Sequence, residues 1–364
     1  HYAPQGLLHF GQGKWYPGEQ LPRWSLNAFW RADGEPLWSN AGLFADEDID
    51  YGVTDAQTLA FLQGVARRLG LDSKYVFGAY EDVWYYLWRE RRLPANVDPF
   101  DARLDDPLER ARLRKVFKQG LDKLVGHVLP IARSYGTRRW QTGPWFLRDE
   151  RCYLVPGDSP LGYRLPLDSQ PWTSKTDYPW VHPQDQSQSF PPLPPYRVMR
   201  QFDRTRATDT AAEDRRAAGA GPAGKARAAT RAPHAFESAG WITRTAICAE
   251  VREGVLYVFM PPLAALEDYL ELVAAIEATA EAMQLPLLLE GYEPPRDPRL
   301  VHLRVTPDPG VLEVNIQPAR NWAELAEQTT FLYDAAHTTR LSTEKFMLDG
   351  RHTGTGGGNH FVLG

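Results

Sequence analysis

Apolar residues recur at helical spacing in four stretches of the chain, and between them they alternate or cluster in short strand-like runs. Thr54 precedes Leu59, Leu62, Val65 and Leu69, which share one helical face, and a threonine there can cap the free amides of a first turn. A second helix is predicted from Asp106 and Pro107 through leucines to Leu121 and Leu124, with Gly126 and Pro130 closing it. Two more are predicted, from about Leu263 to Met283 with Pro286 as the break, and from Ala323 to about Arg340.

The intervening runs read as strands. Arg151 to Val155 leads into the turn Pro156-Gly157-Asp158-Ser159, and Thr245–Val251 with Val255–Met260 forms a hairpin around Glu253-Gly254. Leu287 to Leu289 is a short buried strand, and Val301–Val305 with Val311–Ile316 makes a second hairpin around Asp308-Pro309-Gly310. Residues 1–50 mix aromatic residues with turn formers and read as strands and loops. Strand pairs alternating with helices predict an α+β fold with a mostly antiparallel sheet and packed helices.

Composition then divides the chain. Its 364 residues exceed what one simple core usually holds. Residues 173–196 are rich in Pro, Ser and Gln, and 204–234 are almost entirely Ala, Arg, Thr, Gly, Asp and Pro, too poor in apolar area to offset their ordering entropy. The expected organisation is an α+β part over 1–172, a linker or disordered insertion over 173–236, and a second α+β part over 237–364. The chain opens on His1-Tyr2-Ala3 and closes on Phe361–Gly364, which reads as a strand just begun, so it is expected to be a piece of a longer polypeptide, incomplete at both ends.

Charge and cysteine content narrow the classes. With 41 basic against 46 acidic residues, a formal charge of −5, there is no electrostatic footprint for nucleic acid and no polybasic membrane surface. The two cysteines, Cys152 and Cys248, are far apart and without metal-ligand spacing or a neighbouring His, which argues against a disulfide scaffold, a zinc site and a thiol nucleophile. No apolar run approaches the roughly 18 residues that span a bilayer. A cytoplasmic protein without nucleic-acid or membrane partners is expected.

Candidate chemistry concentrates near the C-terminus, in Leu289-Glu290-Gly291-Tyr292, in Pro309-Gly310-Val311-Leu312-Glu313-Val314-Asn315, and in the run from Asp349-Gly350-Arg351-His352 to Thr355-Gly356-Gly357-Gly358-Asn359-His360. Carboxylates on strands beside a glycine-rich turn suit a hard metal ion and a polyphosphate, because oxygens take Mg²⁺ and glycine amides approach phosphates closely. Alternation in Val311–Ile316 puts Val311, Glu313 and Asn315 on one face and Leu312, Val314 and Ile316 on an expected core face. Glu290 and His302 also sit in or beside strands. Lys14 lies in Gly11-Gln12-Gly13-Lys14, which lacks the P-loop spacing and suits a phosphate contact and a simple turn equally. Asp158 and Ser159, and likewise Asp349 and His352, fit turn caps as well as ligands, and the aromatic run around Glu81 and Asp82 fits core as well as a stacking platform.

The run Pro309-Gly310-Val311-Leu312-Glu313 resembles the Pro-Gly-Gln-Trp-Glu segment of glutamine synthetases, and Thr355–His360 is similar to their Asn-Gly-x-Gly-x-His turn, with Thr355 in place of Asn. From Gly11–Glu19 through Gly157-Asp158-Ser159-Pro160-Leu161-Gly162-Tyr163-Arg164 to its end, the chain resembles the bacterial amidoligase domain found fused behind transglutaminase-like domains, a glutamine synthetase-like carboxylate-amine ligase.

The resemblance implies a glutamine synthetase-like core, Mg²⁺ as cofactor, ATP as cosubstrate, and carboxylate and amine substrates, peptides among them, joined through an acyl phosphate. It implies metal ligation by Glu290, Glu313 and His360, nucleotide contacts from Lys14, Gly356, Gly357, Gly358 and Asn359, and catalytic roles for Arg351, Arg164 and His360. The fused transglutaminase-like domain is the implied partner. Two rival readings use the same residues: an inert peptide or cell-wall recognition module serving that partner, and a metal-dependent hydrolase.

Overall fold

A computed structural model describes residues 3, 5–18, 23–96, 107–134, 139–148, 150–178, 189–202, 231–308, 311–316 and 318–354. Its elements in chain order are β1 (Leu7–Gln12), β2 (Trp24–Arg31), α1 (Asp55–Arg68), β3 (Phe77–Glu81), α2 (Val83–Glu90), α3 (Pro107–Gln119), β4 (Leu124–Pro130), β5 (Ala132–Arg133), β6 (Trp140–Gln141), β7 (Cys152–Leu154), α4 (Tyr196–Met199), β8 (Ala246–Arg252), β9 (Val255–Met260), α5 (Leu266–Met283), β10 (Leu287–Gly291), β11 (Leu300–Asp308), β12 (Val311–Asn315), α6 (Trp322–Thr338), β13 (Lys345–Phe346) and β14 (His352–Thr353). The fold class is α+β. Two compact units divide the chain, one made of His1–Pro36 with Pro298–Gly364, the other of Leu37–Asp297.

In the Leu37–Asp297 unit, six strands pair in the order β10-β9-β8-β4-β3-β7. β9/β10 and β3/β7 run parallel and the other pairs antiparallel, so the sheet is mixed. Strand pleating sends alternate residues to opposite faces. One face carries His127, Leu129, Ile247, Ala249, Leu256 and Val258 and is covered by α1, which packs on β4, β8 and α5. Helix α5 is apolar on nearly every side and correspondingly buried from Leu266 to Ala280, as a helix in the middle of a core must be. Gly64 permits its close approach to α1, since a Cβ there would lie 2.6 Å from Thr279 Cγ2.

One carboxylate fixes the edge of that core. Glu277 of α5 is fully buried and accepts from Ser39 N–H at 2.8 Å, Ser39 Oγ at 2.8 Å, Asn40 N–H at 3.0 Å and the Tyr196 hydroxyl. A buried charge persists only when its lone pairs are filled in this way. The bonds tie the segment around the buried Trp38, and helix α4, to the helical layer.

The opposite sheet face carries Ala79, Val128, Cys152, Leu154, Ala246, Cys248 and Phe259, capped by Leu161 and Leu165. Gly126 makes room for that cap, because a Cβ at this position would sit 2.8 Å from Leu161 Cδ1 and 2.6 Å from the Ala249 carbonyl oxygen.

The other unit holds an antiparallel four-stranded sheet in the order β12-β11-β2-β1. Phe29 on β2 packs against His9 and His302, and Arg23 bonds Asp308 at 2.7 Å.

Two local expectations are corrected. The second helix stops at Gln119, where Gly120 turns left-handed at φ +85°, and Leu124–Pro130 is a buried central strand, because its β-branched and apolar run has strands to pair with on both sides. The Leu312 and Val314 face of β12, expected to be core, is exposed, and Glu313 on the other face is half-buried. The loop 309–310 and most of 204–234 lie outside the described residues. Among the described residues no helix is long and apolar enough to cross a membrane.

Candidate functional site

The sheet face that buries Cys248 and Phe259 changes character toward one end. Alternation along β8 carries Cys248 on to Glu250 and Arg252, and the register sets Glu250 opposite Gly126 on β4 and Tyr257 on β9. Glu290 on β10 pairs with Phe259, and Glu81 follows Ala79 on β3, so three strands deliver three carboxylates to this one face. All three are buried.

Each is held. Arg252 Nη2 donates to Glu250 Oε1 at 2.8 Å and to Glu290 Oε1, while its guanidinium carbon lies 3.8 Å from the centre of the Tyr257 ring. Leu161 N–H donates to Glu250 Oε1 at 3.1 Å. Arg164 Nη2 donates to Glu81 Oε2 and its Nε to the Val155 carbonyl at 2.9 Å, and the Tyr86 hydroxyl lies 3.5 Å from the same Glu81 oxygen. Glu81, Arg164, Glu250, Arg252 and Tyr257 line a cleft of about 790 Å³, together with Asp158 and Ser159, Glu47 and Asp55, Lys115 and Lys123, and Glu253 of the β8–β9 turn.

The electrostatics follow from burial. Desolvation pushes Glu290 up to about 7 in spite of Arg252 beside it, with Glu250 adding to the rise. Burial alone would lower Arg252, but Glu250 and Glu290 outweigh it and raise its pKa, so the guanidinium stays charged. Tyr163 is pushed up to about 12 by burial, then by Tyr292, Glu290 and Glu293. Burial also pushes the Cys152 thiol up to about 12 and Cys248 well above its usual value, which leaves both inert as nucleophiles at neutral pH.

Of the residues singled out in the sequence, Arg164 lines the cleft, and Glu290 lies behind the lining, bonded to Arg252. Asp158 bonds Arg112 Nε at 3.1 Å at the rim. Lys14 and Glu313 are in the other unit and bonded to each other. Arg351 is largely exposed and pairs with Asp349 at 3.0 Å, and His352 lies edge-on to Phe346 at 5.7 Å. Gly356, Gly357, Gly358, Asn359 and His360 lie outside the described residues. Asp82 caps α2 by accepting from Tyr85 N–H at 3.0 Å, and Trp84 and Trp88 on that helix are exposed while Tyr86 is buried.

Sequence reading overlooked Glu250 and Arg252. The available signal was the alternation Cys248, Glu250, Arg252, which places a carboxylate and a guanidinium on the same face as a buried thiol.

Among the described residues no group of three or more His, Cys, Asp or Glu side chains is placed to hold a metal ion. Mg²⁺ does not need one, since it commonly takes one or two carboxylates, waters and substrate phosphate oxygens. Glu250 and Glu290 meet that requirement: their oxygens already converge on a single cationic nitrogen.

Fold and site together define an α+β protein with a charge-lined cleft at one end of a mixed sheet. The chain belongs to the family described as "Putative amidoligase enzyme (DUF2126)", whose model matches residues 1–364. Neither curated proteins nor solved structures match this chain.

Proposed function

We propose that this chain is an ATP- and Mg²⁺-dependent carboxylate-amine ligase that forms an amide through an acyl phosphate, and that the cleft of the Leu37–Asp297 unit binds its charged groups. The observation that carries the reading is the convergence of Glu250 and Glu290 on one cationic nitrogen of Arg252, beside a cleft that Glu250, Arg252 and Arg164 line. Family membership supports amide ligation as the reaction class.

Glu250 and Glu290 would hold Mg²⁺. When bound, the ion neutralises charge on the transferring phosphoryl group and the oxygens around it. Arg164 Nη1 and Arg252 Nε and Nη1 bond no described residue and belong to side chains that line the cleft, so they are open to a phosphate or carboxylate. A guanidinium suits that task because its parallel N–H groups match two oxygens at once. Glu81 fixes Arg164 from behind, which keeps the open donors aimed without loss of side-chain entropy on binding.

A metal role of Glu313 and His360, phosphate roles of Lys14 and Arg351, and a nucleotide-facing role of Gly356–Asn359 rest on the resemblance to glutamine synthetases alone and are proposed separately, within the other unit. A fused transglutaminase-like partner is likewise proposed on resemblance.

Calorimetric titration of ATP with and without Mg²⁺ tests the reading. Wild type is expected to bind in a Mg²⁺-dependent manner, with Glu290→Gln and Arg164→Met each weakening the affinity at least tenfold. ATP that fails to bind a folded protein at millimolar concentration with Mg²⁺ present would refute it and favour a recognition module; metal-dependent turnover without ATP would favour a hydrolase.

A further inference from the structure

The pairing of Arg252 is unusual for a guanidinium. Arginine normally meets a carboxylate with two parallel N–H groups. Here one nitrogen, Nη2, is divided between Glu250 and Glu290, and Nε and Nη1 bond no described residue. The guanidinium acts as a point charge between two carboxylates, which is the role a divalent ion would play. We propose that Arg252 is a displaceable internal cation, holding the place of the divalent ion between Glu250 and Glu290 and turning into the cleft, there to bind an oxyanion, when the ion enters. The inference rests on the metal reading above and goes beyond it.

Three features make Arg252 the member of the trio that moves. The carboxylates are fixed: Glu290 is 5% and Glu250 8% exposed, and the Leu161 amide anchors Glu250. The arginine side chain is 35% exposed and borders the open cleft. Its flat face rests on the Tyr257 ring, a contact without directional bonds that a guanidinium can keep while it slides.

Energetics favour the exchange. Two buried carboxylates that face each other are strongly unfavourable when both are ionised, so a guanidinium or a metal ion between them stabilises the ionised pair, and the two cations compete for that one point. Displacement frees the guanidinium's N–H groups for an anion. Cation entry and oxyanion capture then become coupled, and linkage requires that each strengthen the other.

The test is a Mn²⁺ titration followed by electron paramagnetic resonance, which reads free ion directly and needs no turnover. Wild type, Arg252→Lys, Arg252→Met and the double variant Arg252→Met/Glu290→Gln are compared, with circular dichroism to confirm folding. Removing the internal competitor should tighten Mn²⁺ at least tenfold in Arg252→Met and severalfold in Arg252→Lys, and the double variant should lose the gain. Should Arg252→Met fail to fold, Arg252→Lys carries the test alone. Mn²⁺ affinity equal to or weaker than wild type in both single variants would overturn the displacement and leave the metal reading standing. Absence of Mn²⁺ binding in every protein, wild type included, with and without ATP, would overturn both.

Discussion

Glu290 offers a sharp test of the electrostatics. Burial raises its pKa from 4.5 to about 7. The folded state therefore holds a proton that the unfolded state has released, and ionisation of Glu290 opposes folding. The sign follows: its contribution is most favourable below about pH 4.5 and declines as pH rises through about 7. The rise of about 2.5 pK units, at about 1.4 kcal/mol each, corresponds to roughly 3 kcal/mol across that window. Other carboxylates pull wild-type stability the opposite way, so the comparison must be differential. Urea unfolding of wild type and Glu290→Gln in metal-free buffer at pH 5, 6, 7 and 8 isolates the group, because glutamine keeps the shape and does not titrate. The wild-type value minus the variant value should fall by about 2–3 kcal/mol from pH 5 to pH 8. Parallel curves, or a difference that rises with pH, would show that Arg252 and not desolvation governs this carboxylate, and would refute the reasoning.

Three further outcomes are expected. Glu277→Ala removes the acceptor for two backbone amides and two hydroxyls in a fully buried place, and should cost about 3–5 kcal/mol by chemical denaturation; a loss under about 1 kcal/mol would deny the clamp. Arg164→Met leaves buried Glu81 with the Tyr86 hydroxyl as its one remaining partner among the described residues, and a loss of about 3 kcal/mol is expected, largely restored by Glu81→Gln in the same chain. Gly254→Ala forces a Cβ within 1.6 Å of Asp50 Oδ1 at φ +78°, and should lower stability by about 1–3 kcal/mol in a thermal melt; an unchanged melting temperature would mean the turn relaxes freely.

Much of the local structure was legible because it depends on near neighbours. Thr54 opens α1 with a capping box through Gln57, and the hairpin around Glu253-Gly254 forms with both turn residues at positive φ. The long apolar run of α5 could only be a buried helix. Leu121 and Leu124 keep helical spacing past Gly120, so the sequence overextends the second helix, and nothing local says that β3 and β8 wait on either side of Leu124–Pro130. Alternation alone predicts a core face of Leu312 and Val314, but it tells which residues share a face and not which face is covered.

The candidate cleft shows the same division. Glu290 and Arg164 stood out in the sequence through their own neighbours, Gly291 and Tyr292 for one and the Gly157–Arg164 turn for the other. Their partners did not, since Arg252 lies 38 positions from Glu290, and Glu81 lies 83 positions from Arg164. Sequence by itself determined the α+β class, most element positions and the family to which the chain belongs, because each depends on composition, periodicity or ordered motifs. Only the tertiary structure decided that Glu81, Glu250 and Glu290 share one sheet face with Arg252 between two of them, because register between strands distant in sequence sets which side chains meet, and burial there sets their charge.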